Sequence, residues 1–93
     1  MENLEIFILN LEKLYFKNKS TGEVSHMVRV NYATRVPDEE RFVGLAVLEC
    51  YQKPESWNNL CNYVGKKCNA EFKKIRLKNG FKYSLVSIDN KDI

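Results

Sequence analysis

KPESWNNLCNYVGK, residues 53–66, decides the fold, because here the apolar residues fall at helical spacing. Trp57, Leu60, Cys61 and Val64 stand at i, i+3, i+4 and i+7, a single apolar stripe. Pro54 suits a first turn, where its missing N–H would be unpaired anyway. Gly65 offers a left-handed C-terminal residue, and Lys66 and Lys67 complement the negative end of the helix dipole. The sequence therefore predicts one helix, with strand-like segments on both sides of it.

Upstream, residues 41–52 are apolar on both faces around Val43 to Leu48, the pattern of a strand covered on both sides and central in its sheet. Gly44 within it marks a bend. Pro37-Asp38-Glu39-Glu40 reads as the turn before that strand. Residues 24–36 carry the cleanest alternation in the chain. Val24, His26, Val28, Val30, Tyr32, Thr34 and Val36 share one face, while Ser25, Met27, Arg29, Asn31, Ala33 and Arg35 share the other. KNKSTGE, residues 17–23, reads as a hairpin loop, and residues 4–16 as a long strand with a bulge near Glu12-Lys13. Downstream, residues 68–78 and 81–88 are two strands joined by Asn79-Gly80, a strong hairpin signal, and residues 89–93 read as a frayed tail.

The resulting order is β-β-β-α-β-β in a single domain spanning residues 1–93. A mostly β chain with one helix between its third and fourth strands matches the five-stranded Greek-key barrel known as the OB-fold, and that is the expected architecture.

Composition narrows the function. Hydrophobic residues are 44% and charged residues 29%, which excludes a disordered chain. The net charge is +3, but its distribution matters more. Lys66, Lys67, Lys73, Lys74, Arg76, Lys78 and Lys82 face a single acid, Glu71, in the C-terminal third. Cys50, Cys61 and Cys68 are an odd set at irregular spacing within apolar patterns, the mark of buried free thiols rather than disulfides. With His26 as the lone histidine they make a poor zinc site, so neither metal nor cofactor is expected. No apolar run approaches a membrane span and Met1-Glu2-Asn3 lacks the positive region of a signal peptide, so a cytoplasmic protein without membrane association is expected. Catalysis is not expected. The glycines stand singly at 22, 44, 65 and 80 and cradle no phosphate, and Asp38, Glu39 and Glu40 splay apart in a turn.

The functional pattern lies in the last hairpin. A two-residue turn at Asn79-Gly80 sets Lys78 against Phe81, Arg76 against Tyr83 and Lys74 against Leu85, all on one face, with Lys82 near the tip. Ile75, Leu77, Ser84, Val86 and Ile88 then form the core face. Cations interleaved with rings suit single-stranded nucleic acid, since cations attract phosphates and rings stack on unpaired bases. Arg29, Asn31 and Arg35 add a polar face on the second strand, and Lys17 and Lys19 sit on the first loop.

Three stretches strengthen this reading: KSTGE (residues 19–23) leading into residues 24–30, NYVGKK (residues 62–67), and LKNGFKY (residues 77–83). On them the chain resembles the bacterial and phage single-stranded DNA-binding proteins and the related primosomal protein. The resemblance implies an OB-fold, no catalysis, and non-sequence-specific binding of single-stranded DNA or RNA in replication or on a mobile element. The chain lacks the family's stacking tryptophans in its strands, and Asp92-Ile93 does not match its acidic tail. The alternative is a protein-binding module, an inhibitor or adaptor encoded by a phage or mobile element, whose Asp38–Glu40 turn meets a basic partner. A homodimer through strand edges is compatible with either reading.

Overall fold

A computed structural model describes residues 2–35 and 44–93. The expected Pro37–Glu40 turn and the first residues of the expected third strand lie outside the described residues. The chain is mostly β, with strands β1 (Glu2–Lys17), β2 (Val24–Arg35), β3 (Leu45–Gln52), β4 (Lys67–Leu77), β5 (Gly80–Ile88) and β6 (Lys91–Asp92). They form a single antiparallel sheet of order β3-β2-β1-β4-β5-β6.

β1 organises the sheet because it serves two neighbours in succession. Its residues 2–7 pair with β4 and its residues 6–17 with β2. Just past the end of the β4 pairing, the register with β2 slips at Ile8/Asn10, so the bulge falls at Leu9 and not near Glu12-Lys13 as expected. The opening left beside Ile8 is filled by the chain returning from the helix. Val64 bridges Ile8, and the Gly65 N–H donates to the Ile8 carbonyl at 2.8 Å. Gly65 holds φ +76 there, a conformation that glycine adopts without strain.

The helical segment is shorter than its stripe predicted. A 3₁₀ turn, Pro54–Ser56, leads into the helix α1 (Trp57–Cys61). Leu60 is its deeply buried anchor and Trp57 is half-buried, whereas Cys61 and Val64 are exposed. The periodicity breaks because residues 64–66 are drawn onto β1 instead of continuing the helix.

The core is Ile6 and Ile8 of β1, Val28, Val30 and Tyr32 of β2, Cys50 of β3, Leu60 of α1, Cys68, Ala70 and Phe72 of β4, and Leu85 and Ile88 of β5. The alternation read in β2 holds at Val28, Val30, Tyr32 and Thr34, all buried, while Val24 and His26 are exposed. Tyr32 and Phe72 meet with ring centroids 5.4 Å apart. Burying each large apolar side chain contributes about 1.5–3 kcal/mol before entropy is subtracted.

Three further expectations are corrected. β3 is a terminal strand of the sheet order rather than a central one, and Leu45, Val47 and Leu48 are exposed. Cys61 is exposed, so only Cys50 and Cys68 are buried thiols. Residues 89–93 do not fray: Asp89 and Asn90 take positive φ, and β6 returns onto β5 through Ser87↔Asp92 and Ile88↔Lys91.

β3 also lies beside β5, although no ladder joins them. The buried Gln52 side chain makes the link. Its Nε2 donates to the Leu85 carbonyl at 2.8 Å, and its Oε1 accepts from the Leu85 N–H at 3.0 Å. One amide side chain thus satisfies both outward backbone groups of a buried strand residue, as a paired strand would.

Candidate nucleic-acid interface

The β4–β5 hairpin turns at Lys78-Asn79, since Leu77 pairs with Gly80. Arg76 therefore faces Phe81 and Lys74 faces Tyr83, each partner two residues from the expected one, and Lys78 sits in the turn with no ring opposite. The shift changes both partners together, so the parity survives and Lys74, Arg76, Phe81 and Tyr83 still share a face. What changes is where that face leads. Phe72 pairs with Leu85 on the same side, and both are buried, so the cationic, aromatic face is the outward continuation of the core face. The residues assigned to the core by sequence, Ile75 and Leu77, lie on the opposite side, half-buried and exposed. A bulge between Glu71 and Phe72 shifts the register that had placed Ser84, Val86 and Ile88 together.

Phe81 and Tyr83 are 58% and 40% exposed, open enough for a ring to meet a ligand. Lys74 Nζ lies 4.0 Å over the Phe81 ring, a contact worth about 0.5–1 kcal/mol at an exposed site.

Beside this hairpin lies a cleft of about 970 Å³. Phe16 from β1, Met27, Arg29, Asn31 and Tyr32 from β2, residues 47–51 from β3 and residues 81–84 from β5 line it. It runs along the stretch where β3 and β5 are unladdered, short of the Gln52 bridge. Four exposed rings, Phe16, Tyr51, Phe81 and Tyr83, come together in it.

The electrostatics of its floor differ from the expectation. Arg29 is not a free cation. Its guanidinium lies 3.6 Å from a Glu12 carboxylate oxygen and 3.5 Å from one of Glu49, and 5.8 Å from the Tyr51 ring. The nearby Tyr51 hydroxyl, followed by the charges of Tyr51, Glu12 and Glu49, outweighs desolvation and holds its pKa above the usual arginine value. The Tyr51 hydroxyl in turn donates to Glu49 at 3.1 Å. Asn31 donates from Nδ2 to Asn10 Oδ1 at 2.7 Å, so it too is engaged within the sheet. One cation between two carboxylates leaves the floor slightly negative and preorganised.

Of the other cations expected to bind, one lines the cleft. Lys82 lines it on β5. Lys17 ends β1, directly after Phe16, and Lys19 lies in the exposed 18–23 loop. That loop is ordered by Asn18, whose Oδ1 accepts from the Ser20 N–H at 2.8 Å. Arg35 is exposed at the far end of β2, opposite Leu45, and does not line the cleft. Reading the sequence missed Phe16 and Tyr51. Tyr51 alternates with Glu49 on the face opposite the buried Cys50, a period-two signal obscured by reading β3 as covered on both sides.

No protein-family model, curated protein or solved structure matches the chain.

Proposed function

We propose that the chain binds single-stranded nucleic acid, DNA or RNA, without sequence specificity, in the cleft between β3 and β5. The observation that carries this reading is the convergence of Phe16, Tyr51, Phe81 and Tyr83 in one cleft with Lys82 at its side. Exposed rings offer stacking surfaces that any unpaired base can use, at about 1–3 kcal/mol per base. Duplex DNA hides those surfaces. With Arg29 neutralised by Glu12 and Glu49, the bases lie toward the floor, while phosphates meet Lys82, Lys74, Arg76 and the Lys17–Lys19 loop.

An OB-like barrel fits the same observations. Strand order β3-β2-β1-β4-β5 with β3 brought against β5 by Gln52 is the cyclic order such a barrel requires. In that fold oligonucleotides lie across the second and third strands, beside the β1–β2 and β4–β5 loops, which is where this cleft runs.

The test is anisotropy of labelled single- and double-stranded oligonucleotides at two salt concentrations. Affinity for the single strand falls as salt rises, and Tyr83→Ala weakens it by about tenfold or more, similarly across sequences. Salt-independent binding, a preference for duplex, or no binding at low salt refutes the proposal.

A second reading rests on β3, whose exposed Leu45, Val47 and Leu48 would suit a protein partner. Retention of one stoichiometric protein after nuclease treatment, together with no oligonucleotide binding, would favour it.

A further inference from the structure

We propose that a second base-binding pocket continues the cleft over the edge of β2, so that a longer strand occupies both faces of the β1–β2 hairpin. This inference rests on the nucleic-acid reading above and extends it to a site of different residues.

The pocket has a volume of about 380 Å³ and is built around Trp57, Tyr15, His26 and Lys13. In the β1–β2 ladder Tyr15 pairs with His26 and Lys13 with Val28, whereas Leu14 pairs with Met27 and Phe16 with Ser25. Side chains alternate across a strand, so Tyr15 and Phe16 point to opposite faces of the same hairpin. Phe16 serves the first cleft and Tyr15 the second pocket, and Met27 lines both. β3 pairs with β2 only from Val28 onward, so residues 24–27 form an edge that a flexible strand can cross at Met27.

The chemistry of this pocket is that of a nucleotide site. Tyr15 is 64% exposed and is held by an edge-on contact with His26, ring centroids 4.9 Å apart. Trp57 is half-buried against the core, and its ring carries Lys13 Nζ at 4.5 Å from the centroid. Among the described residues no carboxylate lines the pocket, in contrast to the first cleft with Glu49. A base stacking on Tyr15 or Trp57 brings its phosphate to Lys13, which exchanges its ring contact for an ionic one.

Trp57 is the chain's single tryptophan, so its emission reports this pocket alone. The experiment titrates the full chain with oligo-dT of about 5 and about 16 nucleotides, spanning the usual site sizes of one such domain. Anisotropy of a 5′ label and Trp57 emission are followed together. The short strand is expected to bind through the first cleft with Trp57 emission nearly unchanged. The long strand is expected to bind at least tenfold more tightly and to quench Trp57. Tyr15→Ala, at an exposed position that leaves the core intact, lowers long-strand affinity by about tenfold and leaves short-strand affinity unchanged. Tyr83→Ala weakens both. If both lengths bind equally, Trp57 emission stays constant and Tyr15→Ala changes nothing, the second pocket is refuted while the first cleft stands. If neither length changes the anisotropy at low salt, both proposals fall.

Discussion

Gln52→Met isolates the contact that brings the two halves of the sheet together. Methionine has nearly the length of glutamine and fits the same buried position, but it can neither donate nor accept the two bonds to Leu85. Leu85 is buried and already pairs with Phe72 on its other side, so its outward N–H and C=O would have no replacement partners. Each unsatisfied buried group costs about 1–3 kcal/mol. Relief from burying the glutamine amide offsets part of that sum, leaving a net loss of about 2–4 kcal/mol. For a domain of this size each kcal/mol lowers Tm by about 4–8 °C, so the midpoint should fall by roughly 10–25 °C. Urea titration followed by circular dichroism reads the same quantity as a drop in midpoint at unchanged slope. A loss below about 0.5 kcal/mol refutes the reasoning, for it would mean that Leu85 is satisfied without Gln52 and that β3 is held to β5 by something else.

Phe72→Ala removes a fully buried ring packed on Tyr32 and should cost about 3–5 kcal/mol in the same titration. A thiol reagent added to the native chain should label Cys61 promptly, with Cys50 and Cys68 reacting only after denaturant is added. Prompt labelling of all three thiols would contradict the burial described. Stability should also decline above pH 9. Burial pushes Cys50 up to about 12 and Tyr32 up to about 12, and burial with the nearby Asp89 charge pushes Cys68 up to about 11. Each group keeps its proton longer when folded, so its contribution is complete below its unfolded pKa and is lost as pH rises toward the folded value. The expected slope is up to about 1.4 kcal/mol per pH unit for each group, measured by urea midpoints between pH 8 and pH 11. A flat profile would show that the thiols and the phenol are hydrated in the fold.

Much of the fold was legible because burial of one strand face leaves a period-two trace. Val28, Val30, Tyr32 and Thr34 announce β2, and the polar loop before them announces the first hairpin. In the last hairpin Asn79-Gly80 fixed the existence of the turn but not its register. The observed turn at Lys78-Asn79 moves every partner by two residues, and the grouping of Lys74, Arg76, Phe81 and Tyr83 survives because an even shift preserves parity. β3 was misread for an equally physical reason. An apolar run on both faces describes a strand covered from both sides and also one that lines an open cleft, and the residues themselves do not distinguish the two.

By itself, the sequence determined the five longer strand segments, the presence of a helical segment between the third and fourth, and which residues carry cations and rings, since these follow from local period, turn chemistry and composition; it missed β6 and overran the helix. Only the tertiary structure decided that β3 comes beside β5 through Gln52, that Arg29 is bound between Glu12 and Glu49, and that Phe16 and Tyr51 join Phe81 and Tyr83. Those relations join residues far apart in the chain. They depend on how the sheet curls, and no local pattern encodes that curvature.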